Sequence, residues 1–214
     1  MLRRLLGIIP PILLLFLLTC SFAEAFEQSL HKNHFDEYFR KYSRKYFGTH
    51  FDWRYFKAQA IAESRLHPQA RSPNGALGLM QLLPNTFTEV IQKNARIQGK
   101  ITDPRSNIEA GIYYDKILWE LWSADRDFKD RLNFMFASYN AGKHTILQAQ
   151  KIAIKKGLNP YTWPSIATTL PAVNGDGSRE TVIYVDRIHK IKKRLHSTPE
   201  ITGVENTADM GHRE

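Results

Sequence analysis

The chain has 214 residues, 43% of them hydrophobic and 24% charged, enough for one ordinary globular core and short for two full-sized domains. Its 12 Gly and 10 Pro stand against 12 Phe, 9 Tyr and 4 Trp, which excludes a collagen-like or wholly disordered chain. Thirty Lys and Arg against 21 Asp and Glu leave a net charge of +9; this points to an anionic partner such as a nucleic acid, a phosphorylated polymer or a membrane surface, without choosing among them.

The first 25 residues narrow that choice. Arg3 and Arg4 form a basic start, Leu5 to Leu18 an apolar run, and Ala23-Glu24-Ala25 a small-residue cleavage site, the pattern of a secretory signal peptide. Pro10 and Pro11 interrupt the apolar run, which falls short of the roughly 20 residues a spanning helix needs. The single cysteine, Cys20, follows Leu17-Leu18-Thr19 and resembles a bacterial lipoprotein box with an unusual Thr before the Cys; lipidation is the lesser alternative to simple export. Cleavage after Ala25 leaves no cysteine, and with it no disulfide, thiol nucleophile or cysteine-based zinc site. Export to the periplasm or cell envelope also fits poorly with a nucleic-acid partner.

Along the rest of the chain the periodicity is helical. Leu30, His34, Tyr38 and Tyr42 recur at four-residue steps among charged residues, predicting a helix over 27–47 that Gly48 ends. Asp52 is a candidate N-cap for a helix to about Leu66, stopped by His67-Pro68. Residues 71–79, with Pro73, Asn74, Gly75 and Gly78, read as a loop. Thr86 and Glu89 fit a capping box for a helix to about Arg96, and Asn107 can cap another over 108–122. Helices over 128–139, 143–156 and 179–195 follow, and no alternating strand pattern is present. The expected organisation is a signal peptide at 1–25, a helical extension at 26–50, a main domain at 51–196 and a disordered tail at 197–214. The main domain is read as a single all-α unit of six or seven helices.

Trp53, Phe56, Ala60 and Glu63 fall within one arc of roughly 80° on a helix at 100° per residue, so a carboxylate shares an apolar face. Desolvation there raises its pKa and keeps a proton available for general acid catalysis near neutral pH. The plain alternative is an exposed or ion-paired Glu63 at the helix end, beside Arg65 or Arg71. The eight histidines are scattered with no ligand spacing, so neither a metal nor another cofactor is expected.

Glu63-Ser64 leads into Gly75-Ala76-Leu77-Gly78-Leu79-Met80-Gln81; then come Asp103-Pro104, Asn107-Ile108-Glu109-Ala110-Gly111, Ala137-Ser138-Tyr139-Asn140-Ala141-Gly142 and Glu180-Thr181-Val182-Ile183-Tyr184-Val185. This ordered set, over roughly 51–195, resembles the catalytic domain of lytic transglycosylases of the soluble (SLT) type. Its motifs look like those of the catalytic module of the membrane-bound lytic murein transglycosylase F type, although a chain of this length leaves no room for an added solute-binding domain.

The resemblance implies a lysozyme-like fold and a peptidoglycan substrate. In such enzymes the β-1,4 bond between N-acetylmuramic acid and N-acetylglucosamine breaks as the muramic acid C6 hydroxyl attacks, giving 1,6-anhydro ends. It implies Glu63 as acid and then base. A substrate that supplies its own nucleophile needs one carboxylate where ordinary glycosidases need two. Gly75 and Gly78 would allow close approach to a sugar, while Met80 and Gln81 would supply an apolar contact and an amide for an N-acetyl group; a tight turn and core packing are the alternative.

Tyr139 would orient Glu63 or bind substrate, Asn140 would bind acetamide or backbone, and Ser64 would bond the sugar or the surroundings of the glutamate. Glu180 and Tyr184, one helical turn apart, would line the groove, with a structural ion pair as the alternative for Glu180. The basic stretch 187–196 either complements its helix dipole or gives peripheral contact with anionic polymer or lipid headgroups. Two other functions stay open: a goose-type lysozyme-like hydrolase that delivers water to the same bond, and a non-catalytic peptidoglycan-binding protein.

Overall fold

After a helical turn at 26–30, residues 31–35 turn the chain before helix α1, Asp36–Phe47, so the helix expected from 27 onward is interrupted. The interruption has a polar anchor: the Lys57 ammonium, buried in the next helix, donates to Asn33 Oδ1 at 3.1 Å and pairs with Asp36 Oδ1 at 2.7 Å. This computed structural model describes Glu24 and residues 26–124 and 126–197. The expected signal peptide with Cys20, and the tail beyond Ser197, lie outside the described residues.

Helix α2 is Arg54–Ser64. Asp52 Oδ1 accepts the Arg54 N–H at 3.0 Å, and Trp53 occupies the N-cap position itself. The apolar arc read from the sequence understates the burial of this helix, because every residue from Phe56 to Ile61 is buried. α2 runs through the molecule with α1 and the last helix against it, so its polar Lys57 and Gln59 need internal partners. At its end Arg65 and Leu66 take left-handed backbone angles, with φ of 53° and 58°, and the chain enters a loop. Isolated bridges between Arg71 and Leu77 and between Leu77 and Leu82 fold that loop back on itself.

Helix α3, Pro84–Lys93, begins with Pro84 at its first position after Leu83; Thr86 therefore lies inside the first turn, and the expected capping box does not form. A proline there loses no hydrogen bond and presets φ. Helix α4, Pro104–Leu121, starts the same way, and Asp103 caps it by accepting the Ser106 N–H at 3.0 Å. Asn107, expected as that cap, is displaced inward. Helices α5, Phe128–Ala141, and α6, Lys143–Lys155, meet at Gly142, whose φ is 85°.

Two short helices, α7 at Trp163–Thr169 and α8 at Pro171–Asn174, precede α9, Gly177–Ser197. Neither is long enough to show a period, and with them the described residues hold nine helices, eight of them beyond residue 51 where six or seven were expected. The core joins Phe39 and Tyr42 of α1, Phe56 and Ile61 of α2, Ile108 and Leu118 of α4, Phe134 and Phe136 of α5, and Ile188 and Ile191 of α9. Truncating one of these aromatics costs about 3–5 kcal/mol, and α1 and α9 share this core with the helices between them.

Candidate active site

Glu63 lies in the last turn of α2, where the partial negative charge of the helix end opposes ionisation. Its Oε1 accepts a 2.6 Å hydrogen bond from the Tyr184 hydroxyl of α9, 121 residues later. Burial pushes its carboxyl from the ordinary 4.5 up to about 7; the Tyr184 bond and the positive charge of Arg187 pull the other way, and Glu180 pushes it further up. The hydroxyl of Tyr184 is itself held well above its ordinary pKa by burial and by the neighbouring carboxylate. At neutral pH the Glu63 carboxyl can thus still carry a proton, held beside a phenol that stays protonated.

Glu63, Ser72 and Gln81 line each of three adjoining cavities of about 540 to 600 Å³, which together make one groove with Glu63 at its middle. On one side Tyr114, Tyr139, Asn140 and Leu83 line the groove. On the other lie Arg65, Arg71 and Arg187, and the section between contains Tyr184 and Glu180. Asn140 Oδ1 accepts from the Thr181 hydroxyl at 2.8 Å, tying α5 to α9 across the groove. Glu180 is exposed on the wall.

The loop facing Glu63 is clamped by Asn107. Its Oδ1 accepts the Met80 N–H at 2.8 Å, and its Nδ2 donates to the carbonyls of Leu77 at 3.0 Å and Ile101 at 2.8 Å. This arrangement revises the roles expected of Gly78 and the methionine. Gly78 has φ of 77°, and a Cβ there would sit 2.5 Å from Asn107 Nδ2; the close approach that Gly78 permits is to this amide, not to a sugar.

Met80 is fully buried, its side chain packed where a Cβ on Gly111 would come within 2.8 Å, so it lies outside the groove. The Ser64 hydroxyl lies 2.8 Å from the Leu79 carbonyl and 3.1 Å from that of Ala60, pinning the loop to α2. The Tyr139 hydroxyl donates to the Met80 carbonyl at 2.7 Å while its ring meets that of Tyr114; the hydroxyl on Glu63 is that of Tyr184 instead.

Gln81 faces the groove with a left-handed φ of 47°, and its Nε2 donates to the carbonyls of Gly78 at 2.8 Å and Ala70 at 3.2 Å. With the nitrogen so fixed, the amide presents its oxygen as acceptor. Beneath Glu63, Gln59 Nε2 donates to Asp115 Oδ1 at 3.3 Å in a fully buried pair. Burial holds the Asp115 carboxyl well above its ordinary range, and Glu63 adds to the effect. Tyr114 and Ser72 are groove residues that the sequence reading did not select, and Arg187, read only as the start of a basic stretch, lines the groove as well. The adjacent Tyr113-Tyr114 pair on a helix otherwise buried was a usable signal for the first.

The family model for the transglycosylase SLT domain matches residues 37–161. A membrane-bound lytic murein transglycosylase F of Shewanella halifaxensis is 34% identical over 150 residues, 65% of this chain and 30% of the relative. Its counterpart in Vibrio cholerae is 27% identical over 179 residues, 77% of this chain and 33% of the relative; the chain thus spans about a third of the length of these curated relatives. Among solved structures, the 70 kDa soluble lytic transglycosylase of Escherichia coli matches with a TM-score of 0.61 at 21% identity, covering 78% of this chain and 25% of that one. An inactive mutant of Slt from Pseudomonas aeruginosa matches with a TM-score of 0.60, also at 21% identity and over the same shares of each chain. These likenesses give the fold as the all-α, lysozyme-like one.

Proposed function

Because this chain belongs to the transglycosylase SLT domain family, we propose that it is a peptidoglycan lytic transglycosylase that cleaves between N-acetylmuramic acid and N-acetylglucosamine. One observation supports this above the others: the Glu63 carboxyl stands at the middle of the groove, poised near pKa 7 and hydrogen-bonded to Tyr184.

Glu63 gives its proton to the glycosidic oxygen as the C1–O bond breaks, and the N-acetylglucosamine leaves as an alcohol. The C6 hydroxyl of the same muramic acid attacks C1, forming the 1,6-anhydro ring, and its proton passes to the Glu63 carboxylate. The side chain ends as it began, with no water consumed. Tyr184 holds the carboxyl in place and stabilises its anion between the two transfers. In this reading Gln81, Asn140, Tyr139 and Glu180 border the bound sugars, while Ser64, Gly78 and Met80 support the loop beneath them.

The same reading takes residues 1–25 as an export signal and places the enzyme at the periplasmic face of the cell envelope. The leader pattern and the membrane-bound relatives support this location. The basic end of α9 would then give peripheral contact with anionic surfaces.

The test is mass spectrometry of muropeptides released from purified peptidoglycan. Anhydromuramyl ends that vanish in Glu63→Gln are the expected result. Reducing ends would show that water attacks, as in a goose-type hydrolase. Absence of product from a folded protein that binds glycan would make it a binding protein.

A further inference from the structure

Two fully buried polar side chains take no part in the proton transfers described above. Gln59 of α2 and Asp115 of α4 meet through one hydrogen bond, from Gln59 Nε2 to Asp115 Oδ1 at 3.3 Å. Their other oxygens, Gln59 Oε1 and Asp115 Oδ2, are also buried and have no partner among the described residues. Asp115 forms no ion pair within 4 Å among the described residues either. The ionisable groups that act on it are Tyr114 of its own helix, Glu63 of α2, Tyr139 of α5 and Tyr184 of α9, none of which is a cation. Glu180 and Arg187 of α9 act on Glu63 in turn.

Two orphaned acceptors on side chains that already touch are costly in a dry interior. An ionised carboxylate offers only acceptors and the amide oxygen is another, so the pair as an anion leaves both unsatisfied. A proton on Asp115 Oδ2 answers both at once: the O–H donates to Gln59 Oε1 and closes a ring of two hydrogen bonds. A buried carboxyl without a counter-charge takes up a proton rather than pay for desolvating its anion. Gln59 lies one helical turn before Glu63, with about 5–6 Å between the two Cβ atoms, so any charge on the pair is felt by the acid above it.

We infer that Gln59 and Asp115 are positioning residues for Glu63: an acid–amide pair, closed by a proton on Asp115, that keeps the floor of the groove uncharged. With a neutral floor, Glu63 can pass from acid to anion and back without a second negative charge beneath it. The kinetic consequence rests on the transglycosylase reading above, whereas the proton on Asp115 is independent of it.

The first readout is infrared absorption of Glu63→Gln at about pH 8, well above the ordinary carboxyl range. The carbonyl stretch of one protonated carboxylic acid is expected there, and it should vanish in Glu63→Gln/Asp115→Asn. No such band, as from a carboxylate bridged to the amide by water, would overturn the inference. The second readout is the pH profile of kcat/KM on peptidoglycan, whose alkaline limb reports the proton on Glu63. Asp115→Asn puts an amide where a neutral acid stood and should leave the limb in place. Gln59→Glu makes two acids share one proton, and the negative charge they keep should raise the limb by about one pH unit. Gln59→Glu/Asp115→Asn has one acid and one amide in exchanged places and should return the limb to its wild-type position, a rescue that a merely structural role would not give. Circular-dichroism melts verify that each variant folds. A limb that falls by about one pH unit in Asp115→Asn would mean an ionised Asp115 and overturn the inference, as would a limb that Gln59→Glu leaves unmoved. If the wild type releases no anhydromuramyl ends, the transglycosylase reading fails and the positioning role with it, while the infrared band still decides whether Asp115 holds its proton.

Discussion

Replacing Glu63 with glutamine should make the protein more stable, and the gain should depend on pH in a way fixed by the position of this carboxyl. In the unfolded chain Glu63 titrates near 4.5, in the folded protein near 7. The folded state therefore holds the proton more tightly: the associated stability is fully present below pH 4.5 and is lost as pH rises through 7. Each pKa unit is worth about 1.36 kcal/mol, and water in the groove screens part of the effect, so the amplitude expected is about 2–3 kcal/mol. Urea unfolding of the wild type and of Glu63→Gln from pH 4 to pH 8.5 reads this effect as a difference, in which titrating groups remote from Glu63 cancel. The stability difference should be smallest near pH 4, grow in favour of the glutamine variant between pH 4.5 and 7.5, and level off above pH 8. A difference that stays flat over this range would refute the claim that burial keeps Glu63 protonated, and with it the account of how the groove supplies a proton.

Two further outcomes follow from neighbouring contacts. Tyr184→Phe removes a bond that favours the charged carboxylate, so the alkaline limb of kcat/KM should move up by about one pH unit; a limb that moves down would contradict the assigned direction. Gly78→Ala should cost about 3 kcal/mol in thermal or urea unfolding because it adds both backbone strain and a clash with Asn107, whereas Gly75→Ala, with φ of 81° and open space around it, should cost only about 1 kcal/mol.

What was legible in the sequence was whatever local spacing encodes. The face of α2 that carries Glu63 could be found because Trp53, Phe56 and Ala60 share it, and Gly142 marked the break between α5 and α6. Asn107 was misassigned for an equally local reason: an Asn before an apolar run looks like a helix cap, but Asp103-Pro104 opens the helix four residues earlier and frees the amide for the loop. The Tyr184 bond to Glu63 joins residues 121 apart, and no periodicity reports on such a pair. The helices α7 and α8 escaped because seven and four residues are too few to display a helical repeat.

The Asn107 clamp touches only main chain: one N–H and two carbonyls. A fastening of this kind does not depend on the identity of the side chains it holds, provided that Gly78 keeps its place clear. With Ser72 kept, because its hydroxyl accepts the Ala76 N–H at 3.0 Å, the exposed side chains of Arg71 and Asn74 are open to exchange in evolution or in the laboratory, and the rim of the groove can be rewritten for another substrate without loosening the bed on which the acid works.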